Sequence, residues 1–241
     1  MLPRPLIIEL PENLESRCDN PIEEVRLRCT SWRVAVETNN LSPWKTIPED
    51  CVDYVKEYVL GRSYAIDLET VSNEALKFAA TVELKGDGMD AWIFDIDETL
   101  LSNLPYYAQH HYGLEIFDNI LFDKWVLEGA AQAIEPSLKL YKEVQKLGFK
   151  IFLLTGRTEN KRKITTNNLI MAGFEDWDRL ILRGKEDHGK TTVEFKSDKR
   201  KELMEEGFRI VGNLGDQWSD LTGSYLSMRS FKLANPMYFI P

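Results

Sequence analysis

Histidine, cysteine and long apolar runs are all scarce in this chain, and each scarcity removes a class of function. Its 241 residues hold three histidines, His110, His111 and His188. A His-rich two-metal hydrolytic centre cannot be assembled from so few, and no run of Arg and Gly surrounds any of them, as a histidine nucleophile would usually need. There are three cysteines, Cys18, Cys29 and Cys51. An odd number permits one bridge plus a free thiol, or three unlinked thiols, and none has metal-site spacing. No stretch approaches the ~20 apolar residues of a membrane span. Residues Met1 to Leu10 are broken by Pro3 and Pro5 and lack the basic and apolar regions of a signal peptide. That leaves the compartment open.

Basic charge is also short. Lys and Arg number 30 against 39 Asp and Glu, for a net charge of -9. No Lys/Arg-rich run interrupts this acidic background, so neither a nucleic-acid polymer nor an anionic membrane is expected as a partner. Small anionic substrates stay open, because a bound metal ion reverses the field locally. The hydrophobic fraction of 43% is ordinary for a globular protein. The length suits one decorated domain, or one large and one small domain.

The chain shows no internal repeat and no low-complexity segment. Residues 1–20 read as an extended, Pro-containing arm. Apolar residues mixed with charges predict a helix from Glu23 to Asn39. A loop with two prolines follows, and Pro48-Glu49-Asp50 starts a second helix carrying Val52, Val55 and Val59. A third helix is expected over Leu68–Leu84, ended by Lys85-Gly86-Asp87-Gly88. Beyond this break, strands alternate with helices. Strands are expected at 91–94, 149–154, 180–182, 208–211 and 231–233, and helices at 137–147, 161–171 and 198–206. That alternation predicts a doubly wound (Rossmann-like) α/β parallel sheet covered on both faces, with residues 1–88 as arm and helical extension and 89–241 as the core.

In such sheets ligands bind beyond the C-terminal ends of the strands. The first strand is followed by Asp95 and Asp97, the second by Thr155-Gly156-Arg157, and the fourth by a Gly-rich segment leading to Asp216 and Asp220. Lys196 precedes the helix between the third and fourth strands. Four gathered carboxylates repel one another unless a cation lies between them. Oxygen ligands without Cys or His suit Mg²⁺. A carboxylate can attack phosphorus. A second carboxyl two residues on can protonate the leaving alkoxide and then activate water. A hydroxyl, backbone N–H groups and a lysine can hold phosphoryl oxygens.

At these residues the sequence resembles the haloacid-dehalogenase-like superfamily, through Asp95-Ile-Asp97-Glu-Thr99, Thr155, Lys196 and Gly215-Asp216-Gln-Trp-Ser-Asp220. The segments Trp92–Tyr107, Phe152–Arg157, Gly212–Leu221, Phe231–Tyr238 and Cys29–Tyr58 further resemble plant acid phosphatases of class B type, a group that includes the vegetative storage proteins. Dehalogenases, phosphonatases and phosphoglucomutases share the superfamily fold, and Asp97 with Thr99 favours a phosphatase among them. The resemblance implies Asp95 as nucleophile and Asp97 as general acid and base. It implies phosphate binding by Thr155, Gly156, Arg157 and Lys196, and Mg²⁺ held by Asp95, the Asp97 carbonyl, Asp216 and Asp220. The expected substrate is a small phosphate monoester.

Some storage members have lost the nucleophilic aspartate, which this chain keeps. A storage role with incidental activity is therefore the alternative, and a binding module without turnover is a third reading that would not need Asp97. An insert at 104–136 is expected to form a small helical cap. Its aromatic residues are cap core or line a leaving-group pocket, the latter role being implied for Trp125 by resemblance to bacterial class B enzymes. His188, in Asp187-His188-Gly189-Lys190, reads as structural or exposed. Asn40-Leu41-Ser42 is a glycosylation sequon whose following Pro43 disfavours use. The resemblance also implies a homodimer, a secreted or vacuolar location, and a Cys29–Cys51 disulfide with Cys18 free. Simple antiparallel pairing of the first two helices would put Cys51 nearer Glu37, so the intervening loop must run back along the first helix.

Overall fold

A computed structural model of the chain describes residues 20–241. The arm expected over residues 1–20, Asn20 apart, and the free thiol expected at Cys18 lie outside the described residues. Helix α1 (Pro21–Glu37) starts where Asn20 accepts a hydrogen bond from Ile22 N at 3.1 Å, with Pro21 in the first turn. A loop and a short 3₁₀ turn (Glu49–Cys51) lead to α2 (Val52–Leu60) and α3 (Arg62–Thr81). α3 starts six residues before the expected Leu68, directly after Gly61. Its buried stripe of Tyr64, Leu68 and Ala75 keeps helical spacing through that added turn.

The chain doubles back after α1 so that the 3₁₀ turn lies against it. Cys29 and Cys51 are bonded there, with Cα atoms 5.4 Å apart. This is the path along the first helix that the sequence required.

The core follows in the order β1 (Asp90–Phe94), β2 (Leu101–Ser102), α4 (Leu104–Gln109), α5 (Asn119–Glu128), β3 (Gln132–Ala133), α6 (Glu135–Lys146), β4 (Lys150–Thr158), α7 (Arg162–Met171), β5 (Arg179–Arg183), α8 (Thr192–Glu205), β6 (Arg209–Gly215), α9 (Trp218–Leu221) and β7 (Arg229–Lys232). The main sheet is parallel, in the order β5-β4-β1-β6-β7. β2 and β3 were not anticipated. They pair antiparallel, Leu101 with Ala133, and staple the two ends of the cap segment that carries α4 and α5.

Alternation along β1 divides the core. Trp92 and Phe94 face the side covered by α3 and α6, where Phe94 meets Tyr141 at 5.5 Å between ring centroids. Ala91 and Ile93 face Phe195 and Leu203 of α8. Trp92 is fully buried and lies across the sheet from Gly212, its register partner in β6. A Cβ at Gly212 would sit 2.5 Å from the indole, so the largest ring of the core requires a glycine opposite it.

The disulfide closes the loop that carries Trp44 toward the rest of the molecule. The double variant Cys29→Ser/Cys51→Ser should lose roughly 2–4 kcal/mol of unfolding free energy, because the unfolded chain regains loop freedom. Urea unfolding checks this, and an unchanged midpoint in the double variant would remove the bridge from the stabilising set.

Candidate active site

Asp95 and Asp97 leave the end of β1 in a tight turn. Asp95 N continues the ladder to Leu214 O at 3.0 Å. The Ile96 carbonyl then accepts from Leu100 N and Leu101 N, each at 2.9 Å, and Glu98 takes a left-handed backbone, φ 54°. β6 brings Asp216 in from the neighbouring strand, and the short α9 carries Asp220. Asp220 accepts from Gln217 N at 3.0 Å through Oδ2. It sits so close to Gly215 that a Cβ there would lie 2.5 Å from its carboxylate. Arg200, fully buried, donates to the backbone carbonyls of Asp220 and Ser224 and fixes the loop that follows.

Lys196 does not precede its helix as expected; it lies within α8. The helix starts at a capping box in which Thr191 Oγ1 accepts from Glu194 N at 3.2 Å and Glu194 Oε2 accepts from Thr191 N at 2.8 Å. The helix carries Lys196 under the acids. Its Nζ donates to Asp95 Oδ1 and to Asp220 Oδ1, both at 2.6 Å, and the residue is 2% exposed. Burial would lower the lysine's pKa, but Asp220 and Asp95 outweigh it and the pKa is raised.

The acids differ in environment. Burial pushes the Asp95 carboxyl well above its ordinary value; Lys196 opposes this while Asp220 and Asp216 add to it. Burial and then Asp220 push Asp216 up to about 6, against hydrogen bonds from Asn235 Nδ2 and Gln217 Nε2, both at 2.7 Å. Thr99 Oγ1 donates to its other oxygen at 3.3 Å. Asp97 goes the other way. Burial would raise it, but Arg157 and then Asn103 hold it below the usual range. Arg157 donates Nη2 to Asp97 Oδ1 at 2.7 Å and Nε to Oδ2 at 3.0 Å. Glu98, fully buried beneath the turn, is raised by burial to about 8 despite a hydrogen bond from Asn103 N.

A cavity of about 630 Å³ opens above this floor. Asp95, Asp97, Gly156, Arg157, Lys196, Asp216 and Asp220 all line it. Thr155 lies buried beneath, its Oγ1 accepting from Arg157 N at 3.1 Å. The Thr155-Gly156-Arg157 run belongs to the irregular end of β4, which continues to Thr158 instead of stopping at Leu154. The Arg157 guanidinium is taken up by Asp97 and, at 3.2 Å, by Thr165.

The walls come from three separate segments: Trp44 from the N-terminal extension, Phe117 and Phe122 from the cap, and Phe239 near the C-terminal end. Trp125 does not line the cavity. Its indole turns inward and donates to Asn103 Oδ1 at 2.8 Å. His188 is exposed. Sequence reasoning passed over Asn103, whose only signal was its place before Leu104-Pro105 at a helix start. It also passed over Thr165, Arg200 and Asn235, which carry no local motif.

Comparison with known proteins identifies the family. Residues 16–241 match the family model described as HAD superfamily, subfamily IIIB (acid phosphatase). The chain is 61% identical to "Acid phosphatase 1" of Solanum lycopersicum, across all of this chain and 91% of that protein. It is 40% identical to "Vegetative storage protein 2" of Arabidopsis thaliana, across 88% of this chain and 80% of that one. The class C acid phosphatase of Bacillus anthracis superposes with a TM-score of 0.65 at 21% identity, covering 78% of this chain and 85% of that one, which is a likeness of fold. With the family model spanning nearly its whole length, the chain belongs to the subfamily IIIB acid phosphatases of the HAD superfamily.

Proposed function

We propose that this acid phosphatase works through an aspartyl-phosphate on Asp95, with Mg²⁺ as its cation and Asp97 as acid and then base. The observation that carries the reading is the Lys196 ammonium 2.6 Å from both Asp95 and Asp220 on the floor of the cavity. It orients one oxygen of Asp95 and brings positive charge to where a phosphoryl group would sit. Asp95 attacks phosphorus, and the bond to the leaving oxygen breaks as Asp97 delivers a proton to it. Water then attacks the phosphorus, Asp97 takes its proton, and the bond to Asp95 breaks to release phosphate.

The residues fit a hard divalent cation. Asp95, Asp216 and Asp220 each offer a carboxylate oxygen, all within 4.8 Å of one another and with no sulfur or nitrogen donor. Burial first, with repulsion from Asp220 adding to it, raises the Asp95 and Asp216 carboxyls, and a cation between them would favour their charged forms. When bound, Mg²⁺ supplies further positive charge to the phosphoryl oxygens.

A storage role is the second reading, favoured by the likeness to a vegetative storage protein. The complete set of Asp95, Asp97, Thr155, Lys196, Asp216 and Asp220 supports turnover over an inert reserve. Localisation in the secretory pathway is part of the proposal and is supported by the Cys29–Cys51 bridge, since such bonds persist in oxidising compartments. So is a homodimer, which sedimentation would detect.

The deciding experiment screens purified protein against phosphate monoesters, with and without Mg²⁺, across pH. Turnover that survives exhaustive chelation would remove the metal, and no turnover on any ester would leave the storage reading. Asp95→Asn should abolish activity, since an amide does not attack phosphorus. More than a few per cent of wild-type rate on an aryl phosphate would contradict the nucleophile.

A stability measurement tests the cation's place independently. Glu98 has a folded pKa of about 8 against an ordinary 4.5, and Asp216 about 6 against 3.8. Across this window the folded state holds more protons than the unfolded one, so stability falls as pH rises. The metal-free protein should melt at progressively lower temperature from pH ~5 to pH ~8, and saturating Mg²⁺ should flatten that slope. A melting temperature that climbs with pH in the metal-free protein would contradict the crowded-carboxyl account.

A further inference from the structure

Asp97 is held from two sides, and one of them is the cap. On the core side Arg157 forks onto the carboxylate while its Nη1 donates to Thr165 at 3.2 Å. On the cap side Asn103 Nδ2 donates to Asp97 Oδ1 at 2.9 Å, and Trp125 Nε1 of α5 donates to Asn103 Oδ1 at 2.8 Å. An indole N–H only donates, so it must meet the carbonyl end of the amide. That contact forces the amino end of Asn103 toward Asp97 and removes the usual ambiguity in which way an amide points. Asn103 is fully buried, so no competing orientation is satisfied by water.

We propose that Asn103 and Trp125 are positioning residues for Asp97, through which the seating of the cap on the core fixes the carboxyl that protonates the leaving group. Asp97 Oδ1 accepts both the Asn103 amide and the nearest Arg157 N–H, at 2.7 Å. Among the described residues, Oδ2 accepts only from Arg157 Nε, at 3.0 Å, an N–H it shares with Oδ1 at 3.2 Å. Oδ2 therefore keeps room for a proton and is the oxygen that exchanges it with the leaving group and with water. The cap end of the relay is itself tied down. Asp123 of α5 pairs with Lys161 before α7. Asn168 of α7 accepts from Ala131 N and donates to Ala131 O just past α5, at 3.2 and 2.7 Å. A shift of α5 thus displaces the Trp125 indole, the Asn103 amide and the carboxylate together.

This proposal rests on Asp97 acting as general acid, and the test separates the two. The readout is kcat/KM across monoesters whose leaving groups run from nitrophenol to simple alcohols, because kcat/KM reports the step in which the ester bond breaks. An alcohol needs the proton and a nitrophenol hardly does. Trp125→Phe keeps an aromatic ring but removes the N–H together with the five-membered half of the indole, so the leaving-group dependence, and not the size of the loss, is what reads the missing donor. Asn103→Ala removes the link itself. Well-placed acid catalysis is worth roughly 10²–10⁴-fold, so loss of one positioning arm should lower kcat/KM on alkyl phosphates by about tenfold and on nitrophenyl phosphate by less than about twofold. In an Asn103→Ala background, Trp125→Phe should add no further loss, because the two act in one chain.

Equal losses on aryl and alkyl esters in Trp125→Phe would mark a merely structural indole and overturn the proposal. So would losses that add in the double variant. Asn103 is fully buried and its amide is the shared partner of Asp97 and Trp125, so Trp125→Phe remains the deciding variant if Asn103→Ala fails to fold. Asp97→Asn sets the reference. If it steepens the leaving-group dependence and Trp125→Phe does not, the relay is wrong and the acid stands. If it does not steepen, the acid assignment itself falls and takes the relay with it.

Discussion

A buried ammonium with two carboxylate partners is the contact around which this molecule is arranged. Lys196 is 2% exposed, and its two acceptors come from the end of β1 and from α9. An unpaired buried charge costs several kcal/mol, so α8, β1 and β6 must meet in a single relative placement for the charge to be met. Arg200, one turn further along α8, extends the same constraint by capturing the carbonyls behind Asp220. These groups strain against one another. Burial first, with the neighbouring carboxylates adding to it, raises Asp95 and Asp216 above their ordinary pKa values, so the packing of the two sheet faces holds these acids where their charge is disfavoured.

The apolar core supplies that holding force. Trp92 and Phe94 on one face and Ala91 and Ile93 on the other anchor β1 between two helical layers, which leaves its C-terminal end no freedom to move the carboxylates. The close approach of Trp92 to Gly212 and of Asp220 to Gly215 shows the same device at two heights of β6. A missing side chain on this strand lets a neighbour come near, once for packing and once for chemistry.

The strands and the acids were legible because each announces itself locally. A short apolar run ending in Asp95-Ile-Asp97 reads as a buried strand feeding a site, and Gly-Asp after Phe208–Leu214 reads likewise. What escaped were features decided by partners far away in sequence. α8 looked polar from Thr192 to Lys196, and its start was misjudged although Thr191 and Glu194 spelled a capping box. β2 and β3 are two residues each and exist only because they pair with one another. The resemblance to bacterial class B enzymes implies a pocket role for Trp125, yet its N–H needs a buried acceptor and finds Asn103. The resemblance implies phosphate binding by Arg157, which does line the cavity, but no local signal foretells that its guanidinium also engages Asp97 and Thr165.

Strand order carries a consequence for how this chain comes to be folded. β1 lies in the middle of the sheet, flanked by β4 and β6, and Asp95 at its end meets a partner from the last third of the sequence. Asp95 and Lys196 are 101 residues apart, and Thr99 and Asp216 are 117 apart. Loop-closure entropy must be met before such contacts return any stability, so parallel sheets of this kind assemble slowly. During synthesis β1 emerges long before its right-hand neighbour, and its buried Trp-Ile-Phe stretch must wait with one edge unpaired. Until β6 arrives, that stretch is the sticky end of an unfinished sheet, and the time spent in that state is set by chain length and not by the chemistry the site will later perform.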